Sequence, residues 1–386
     1  MDVRVEIIPW DETLPSCLLA KWQEGLHAAN NFHAILQSPE WLTYRWKPLT
    51  KIMLAVLRDP TNTALAVTPL VCNKFPLDFS VAGKTLATIE IDGYHLVGNV
   101  PLFQNLTVFY QALINSIFDA PHIRCLYIKG AANDSPFHNI LGSTQNSRTK
   151  LFAYNPYHKK NRYFFIEMPS SYDEYCKRFS RKALYNMKRE LRLLEKQAGG
   201  RLDLIKVTKP DQVAAFLAEA RRIAKKAYQH RFVDLDVDQP GDRQGLLEAM
   251  ARQGVLRAYL LKCGRQASAY VIGLQFNGVF YFHETAYDKA WARQSPGKTL
   301  LQLILKECFE SETPRIFYFT GGDALYKKSF SNCVEDKITL LVLRRNLTNR
   351  LLVMVHRLFC STVSAVKESI EAIFDAIRSK RKKLEH

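Results

Sequence analysis

Apolar and polar positions recur with recognisable period along most of this chain, most clearly between Gly278 and Phe330. Val279 to Ala286 alternates β-branched, aromatic and polar residues, which predicts a strand. Ser295-Pro-Gly then opens a predicted helix with Leu300, Leu301, Leu303, Ile304 and Phe309 on a broad apolar face. Arg315 to Thr320 predicts a short buried strand stopping at Gly321-Gly322. Two apolar strands flanking one helix, with a glycine at the helix start, predict a parallel β-α-β crossover. The start of such a helix offers backbone N–H groups to a phosphate-bearing ligand.

The first half predicts a strand over Val3 to Ile8, a helix over Thr13 to His27, and a hairpin of Lys51 to Leu57 with Thr63 to Cys72 around Asp59-Pro-Thr-Asn. A strand over Thr88 to Val97, a helix over Phe103 to Phe118 and a strand over His122 to Ile128 complete it. The second half repeats that order. Arg162 to Glu167 predicts a strand and Tyr172 to Gln197 one long helix ended by Gly199-Gly200. After a strand over Leu202 to Val207, the capping box Thr208-Lys-Pro-Asp211 opens a helix burying Val213, Phe216, Leu217, Ala220 and Ile223. A helix over Arg243 to Arg252 follows, then a hairpin of Val255 to Lys262 with Ser268 to Gln275, and Asn277-Gly278 turns into the strand at Val279. Beyond the crossover come a short helix (Asp323 to Ser329), a last strand (Glu335 to Leu343), a weakly amphipathic helix (Leu347 to Ile377) and a basic tail. The repeated order predicts two copies of one α/β fold, residues 1–150 and 151–345, with a helical extension over 346–383. Leu384-Glu385-His386 resembles the remains of an expression tag.

Composition narrows the function classes. Of 386 residues 47% are hydrophobic and 11% aromatic, enough for a well-packed core, while the net charge of +17 calls for an anionic partner: a nucleotide, a nucleic acid, a polyphosphorylated substrate or a membrane surface. The eight cysteines form no Cys-x-x-Cys pair, so neither a disulfide framework nor a zinc site is expected, and reduced core thiols are. No signal peptide precedes Met1-Asp-Val-Arg4 and no run reaches membrane-span length, so the expected location is cytoplasmic.

Three stretches carry a resemblance: Ser180-Arg-Lys-Ala-Leu-Tyr-Asn-Met-Lys-Arg-Glu-Leu-Arg, Ala286-Tyr-Asp with Ser295-Pro-Gly-Lys, and Thr320-Gly-Gly-Asp-Ala-Leu-Tyr-Lys-Lys-Ser-Phe. Together with the element order they resemble the GNAT acyltransferase superfamily. Residues from about 160 to 345 look most like the CelD-type acetyltransferase-like proteins of bacterial cellulose and exopolysaccharide loci, whose relatives include tandem-domain FemX-like peptidyltransferases. The resemblance implies a mixed α+β sheet in tandem GNAT-like folds, with acyl-coenzyme A between two splayed parallel strands. Its pantetheine would pair with the backbone of Thr285, Ala286 and Tyr287. Its pyrophosphate would lie on the loop of Arg293, Gln294, Ser295, Gly297, Lys298 and Thr299. An ordinary helix cap is the alternative account of Ser295-Pro-Gly. The family's loop pattern, Arg/Gln-x-x-Gly-x-Gly/Ala, is met with one small-residue position altered in either frame. No metal is expected.

Attack of an amine on a thioester asks for a base and for an acid at the departing thiolate. In the resemblance, Tyr326 within Ala324-Leu-Tyr-Lys-Lys-Ser-Phe330 is that acid, or else a core tyrosine. His283 and Glu284, adjacent on a strand, are expected on opposite faces, so that one serves as base and the other hydrogen-bonds within the sheet. Asp323 orients substrate or caps the short helix; Lys327 and Lys328 bind an anion or lie solvated. Along the long helix, Arg178, Arg181, Lys182, Tyr185, Arg189, Arg192 and Lys196 oppose Ala183, Met187, Leu191 and Leu194. That stripe would receive a sugar phosphate, a nucleotide or an acidic polymer through Arg181 and Tyr185, or is simply a solvated face. Gly98-Asn-Val-Pro-Leu in the first half lacks the loop's glycine spacing, so one active site is expected, in the second copy or between copies. The expected activity is acyl transfer from acyl-CoA to an amine or hydroxyl of a sugar, sugar nucleotide or other metabolite. The rivals are an aminoacyl-tRNA-dependent FemX-like transferase and a catalytically silent protein at an anionic membrane surface.

Overall fold

Each half of the chain contributes four antiparallel strands and then, beyond a helix, a fifth strand parallel to the fourth. The computed structural model describes residues 3–384 apart from 12, 30, 47–48, 82–83, 103–106, 133–136, 138–149, 158–159 and 228–241. The first half runs β1 (Arg4–Pro9), α1 (Ser16–Ala28), α2 (Pro39–Arg45), β2 (Ile52–Arg58), β3 (Ala64–Val81), β4 (Lys84–His95), α3 (Thr107–Asp119) and β5 (Cys125–Ala132). After β6 (Leu151–Tyr154) and β7 (Asn161–Glu167) come α4 (Tyr172–Cys176), α5 (Arg181–Gln197), β8 (Leu202–Val207), α6 (Pro210–Lys226), α7 (Arg243–Arg252), β9 (Leu256–Cys263), β10 (Gln266–Phe276) and β11 (Val279–Tyr287). The chain ends with α8 (Pro296–Glu310), β12 (Ile316–Phe319), α9 (Leu325–Phe330), β13 (Cys333–Arg344) and α10 (Leu347–Leu384).

All these strands join one mixed sheet in the order β1-β2-β3-β4-β5-β13-β7-β12-β11-β10-β9-β8, with β6 beside β13. From either end five strands consecutive in the chain run inward, so the two halves are related about the β13–β7 contact. Strand β13, last in the chain, pairs with β5 of the first half, while β7 pairs with β12 of the second. The shared centre binds the halves through ladder hydrogen bonds as well as side-chain packing. In the second half α6 and α7 cover one face around Phe216, Leu246, Tyr270 and Tyr318, and α8 with α5 covers the other around Leu194, Leu300, Ile304 and Phe317. Phe280 and Phe317 stack across the parallel pair at 4.6 Å. Burying each such side chain stabilises by roughly 1.5–3 kcal/mol.

Several local expectations change for identifiable reasons. The predicted helix over Tyr172 to Gln197 is two helices, because Ser180 takes an extended conformation and its side chain accepts the Ala183 amide at 3.1 Å, restarting the helix. The box at the head of α6 uses Gln212 instead of Asp211, its Oε1 accepting the amides of Thr208 (3.1 Å) and Lys209 (3.2 Å). Strands β3 and β4 run well past Cys72 and start before Thr88, since their ladder continues from Cys72↔Tyr94 to Val81↔Lys84 as an arm whose inner side, Phe75, Leu77 and Ile91, is buried against Val353 of α10. Helix α2 was not legible as a helix. It starts at Ser38, whose Oγ accepts the Trp41 amide at 3.2 Å, with Pro39 in the first turn. Asn277 and Gly278 both have positive φ, +48° and +72°, as the tight turn into β11 requires. Cys125, Cys263 and Cys308 are buried thiols, but Cys17 is exposed on α1.

Candidate active site

The parallel pair at the centre of the second half comes apart partway. β11 and β12 are in register from Val279↔Ile316 to Phe282↔Phe319. β12 ends there, whereas β11 runs on to Tyr287, paired only with β10 among the described residues. The backbone edge from His283 to Tyr287 is therefore open. In the first half β4 and β5 pair from Gly93↔Cys125 to His95↔Tyr127, but Leu96 prolongs the ladder with its amide to the Tyr127 carbonyl at 3.0 Å.

At the mouth of the wedge β11 carries a bulge. Phe282 faces Gly273 and Glu284 faces Ile272, leaving His283 as the extra residue. The expectation that His283 and Glu284 take opposite faces is overturned by this slip: both lie on the α6/α7 side. His283 meets Trp41 of α2 edge-on, ring centres 5.2 Å apart, and stacks with Tyr281 at 6.0 Å. Glu284 accepts a hydrogen bond from the buried Tyr270 hydroxyl and pairs with Arg243 of α7 at 3.8 Å, both partners almost fully buried. Glu284 is thus committed to the interior, and His283 faces the cavity.

That cavity, about 510 Å³, lies over the centre of the sheet and is walled by both halves. The second half supplies Tyr163, Tyr281, His283 and Thr320 to Gly322; the first supplies His33, Trp41, Trp46, His95, Asn99 and Lys129. His33 Nε2 and the Tyr318 hydroxyl are 2.9 Å apart. Burial first, then Lys337 and Lys129, holds the His33 pKa well below its ordinary value, and burial with Lys129 holds that of His95 down to about 3. Both rings are neutral at neutral pH. Buried Lys337 lies 5.2 Å from the Tyr163 ring centre and pairs with Glu335 at 3.0 Å. Gly321 packs closely on the same tyrosine: a Cβ there would lie 3.0 Å from the Tyr163 ring, which would have to give way by a few tenths of an ångström. Sequence reasoning missed the first-half contributors. Their signal was the density of rings in Phe32, His33, Trp41, Tyr44 and Trp46, a stretch without clear period.

The opposite face of the wedge belongs to α8. Ser295 sits left-handed (φ +53°), a conformation that favours glycine, and Pro296 opens the helix. Of the amides expected to hold a pyrophosphate, that of Ser295 already donates to Ala292 (3.1 Å) and those of Lys298 and Thr299 to Ser295 (3.1 and 3.0 Å). The Gly297 amide is left, beside a position where a Cβ would lie 3.3 Å from Tyr287. The buried Thr299 Oγ1 has no hydrogen-bond partner among the described residues. Lys298 is engaged by Glu190 of α5 at 3.1 Å, while Arg293 is exposed and Gln294 half-buried in the turn before α8.

Tyr326 packs on this α8 face against Phe319, ring centres 6.2 Å apart, and burial raises its pKa strongly, keeping the phenol protonated. Lys327 is neither solvated nor open to an anion. It is buried, its Nζ donates to the carbonyls of Thr320 and Gly321 (2.9 Å for the latter), and burial lowers its pKa to about 8. Asp323 does not cap α9, whose N-cap is Ala324; it is exposed, 4.0 Å from Arg162. On α5 Arg181 and Tyr185 remain exposed, away from the cavity lining. Arg178 is not part of a solvated stripe, since its guanidinium donates to the Phe330 and Ser331 carbonyls at the end of α9.

Residues 181–328 match the acetyltransferase (GNAT) domain family. The backbone is similar to that of FemX, at 10% identity over 91% of this chain and 100% of that one, with a TM-score of 0.57. It is also similar to a conserved protein of unknown function from Bacteroides thetaiotaomicron, at 13% identity over 88% of this chain and 100% of that one, with a TM-score of 0.53. No curated protein matches in sequence. At such identities the likeness is one of fold. Residues 181–328 thus match an acetyltransferase (GNAT) domain, within a mixed α/β fold whose backbone is similar to that of FemX.

Proposed function

We propose that this chain transfers an acyl group from acyl-coenzyme A to an amine or hydroxyl of a sugar, sugar nucleotide or similar metabolite. The donor site belongs to the C-terminal copy, residues 151–345, and the N-terminal copy, residues 1–150, binds no cofactor but walls the acceptor cavity. The observation that carries this reading is the wedge between β11 and β12, which has the start of α8 on one face and the aromatic cavity on the other. The open edge His283 to Tyr287 suits an extended amide-bearing chain, and the half-buried Gly297 at the head of α8 offers its amide to a phosphate. Acyl-coenzyme A supplies an activated thioester carbonyl.

The chain's own groups then have separable tasks. His283 faces the acceptor and takes its proton as nitrogen or oxygen attacks. Amides of the open β11 edge donate to the developing oxyanion. Tyr326, held protonated on the donor face, gives its proton to the departing thiolate. Glu284, tied to Tyr270 and Arg243, fixes the bulge that aims His283. Aromatic walls with Asn99 and Lys129 suit a sugar-derived acceptor bearing an anionic group, in keeping with the CelD-type resemblance and an exopolysaccharide precursor in the cytoplasm. Isothermal titration with acetyl-coenzyme A tests the donor claim: micromolar binding, with the Gly297 amide protected from exchange, is expected, and no heat together with no protection removes it. The charge of +17 favours a second reading, an aminoacyl-tRNA donor. In that case tRNA affinity falls steeply with salt and coenzyme A competes poorly.

A further inference from the structure

Helix α10 is apolar on two opposite sides, and only one of them has a partner in the fold. On the inner side Val353 packs with Phe75, Leu341 and Leu343, and the Asn349 Nδ2 donates to the Arg344 carbonyl at 3.0 Å. His356 bridges the Tyr154 hydroxyl (2.6 Å) and the Asp78 carbonyl (3.1 Å). A helix fixed in this way has no structural need for apolar residues on its outward side. Yet Leu347, Leu351, Met354, Val355, Leu358 and Val366, at helical spacing, are 46 to 73% exposed. Between Leu347 and Val366 no charge interrupts that outward stripe; the charges lie at its flank, where Arg345, Arg350 and Arg357 line a shallow cleft with Met354 and Leu358. The last turns of the helix carry Arg378, Lys380, Arg381, Lys382 and Lys383.

We propose that α10 docks this face on the surface of an anionic phospholipid bilayer, with Leu351, Met354, Val355 and Leu358 between the headgroups and the arginines on their phosphates. A mainly apolar, charge-free stripe bordered by basic residues is the pattern of a helix lying in a membrane interface. Charge decides against a second copy as the occupant: pairing two such stripes brings Arg350 and Arg357 near their own equivalents in molecules each carrying +17. The helix lies on the bilayer and does not cross it, since no described helix is long and apolar enough to span one. The inference is independent of the acyl-transfer chemistry.

Cosedimentation of the full chain with vesicles of phosphatidylcholine, alone or mixed with phosphatidylglycerol, tests it. Binding is expected to the mixed vesicles and to weaken with salt. The double variant Leu351→Glu/Leu358→Glu, with unchanged circular dichroism, should lose about 100-fold in affinity, and Arg350→Gln about fivefold. Equal binding by wild type and the double variant overturns the proposal. So does a wild type that ignores anionic vesicles, including one that sediments as a dimer which the double variant dissociates.

Discussion

Replacing Lys327 by methionine tests how the loop walling the cavity is held. The ammonium is buried and donates to the Thr320 and Gly321 carbonyls, and burial lowers its pKa from 10.5 to about 8. A base whose folded pKa is depressed binds its proton more tightly in the unfolded chain. Between about pH 8 and 10.5 the unfolded chain keeps the proton while the native state releases it, so the lysine's contribution to stability rises with pH across that window and is flat below it. The whole depression is worth roughly 3 kcal/mol, reduced by the two carbonyl bonds, which favour the charged form. Urea unfolding of wild type and Lys327→Met at pH 7, 8, 9 and 10 isolates this group, because all other titrations cancel in the difference. The stability gap should widen by about 2 kcal/mol toward pH 10. A gap independent of pH, or one that narrows, refutes the burial argument. In the variant the Gly321 and Gly322 amides should also exchange faster, since the loop has lost its tether.

Three further outcomes follow from the same packing. His95, held down to about 3, and His33, lowered in the same direction, stay neutral in the fold while the unfolded chain protonates below 6.5. Stability should therefore fall on acidification from pH 6.5, by about 2 kcal/mol at pH 5 for His95 and further for His33 in the same direction; a urea midpoint unchanged between pH 7 and 5 contradicts this. Gly321→Ala puts a Cβ 3.0 Å from the Tyr163 ring, and calorimetry should record a loss of about 1–3 kcal/mol. Tyr326→Phe should slow turnover by about 10²-fold or more with coenzyme A affinity unchanged, and unaltered turnover removes the tyrosine from its proposed role.

Strands, hairpin turns and most helices were legible because their signals are local. Asn277-Gly278 needs only its own φ angles to make a turn, and the apolar face of α8 needs only its period. The site misses turn on which backbone groups the fold aims at a side chain. Arg178 looked like surface charge until the end of α9, far along the chain, supplied two carbonyls, and Lys327 until the preceding loop folded the Thr320 and Gly321 carbonyls back onto it. The break before α5 and helix α2 are different, local caps at Ser180 and Ser38 that were overlooked.

The alternation of side chains along β11, the turn before it and the glycine at the head of α8 are properties of the chain alone, set by backbone sterics and the two periodicities. Which face Glu284 uses was decided by pairing with β10, because the one extra residue between Phe282 and Glu284 turns it to the same side as His283. The cavity likewise exists only once β13 joins β5, β7 joins β12 and α2 packs across them, bringing His33 and Trp41 to His283 over more than two hundred residues of chain. Ladder register and burial are pairwise quantities, and no single stretch of sequence contains both members of the pair.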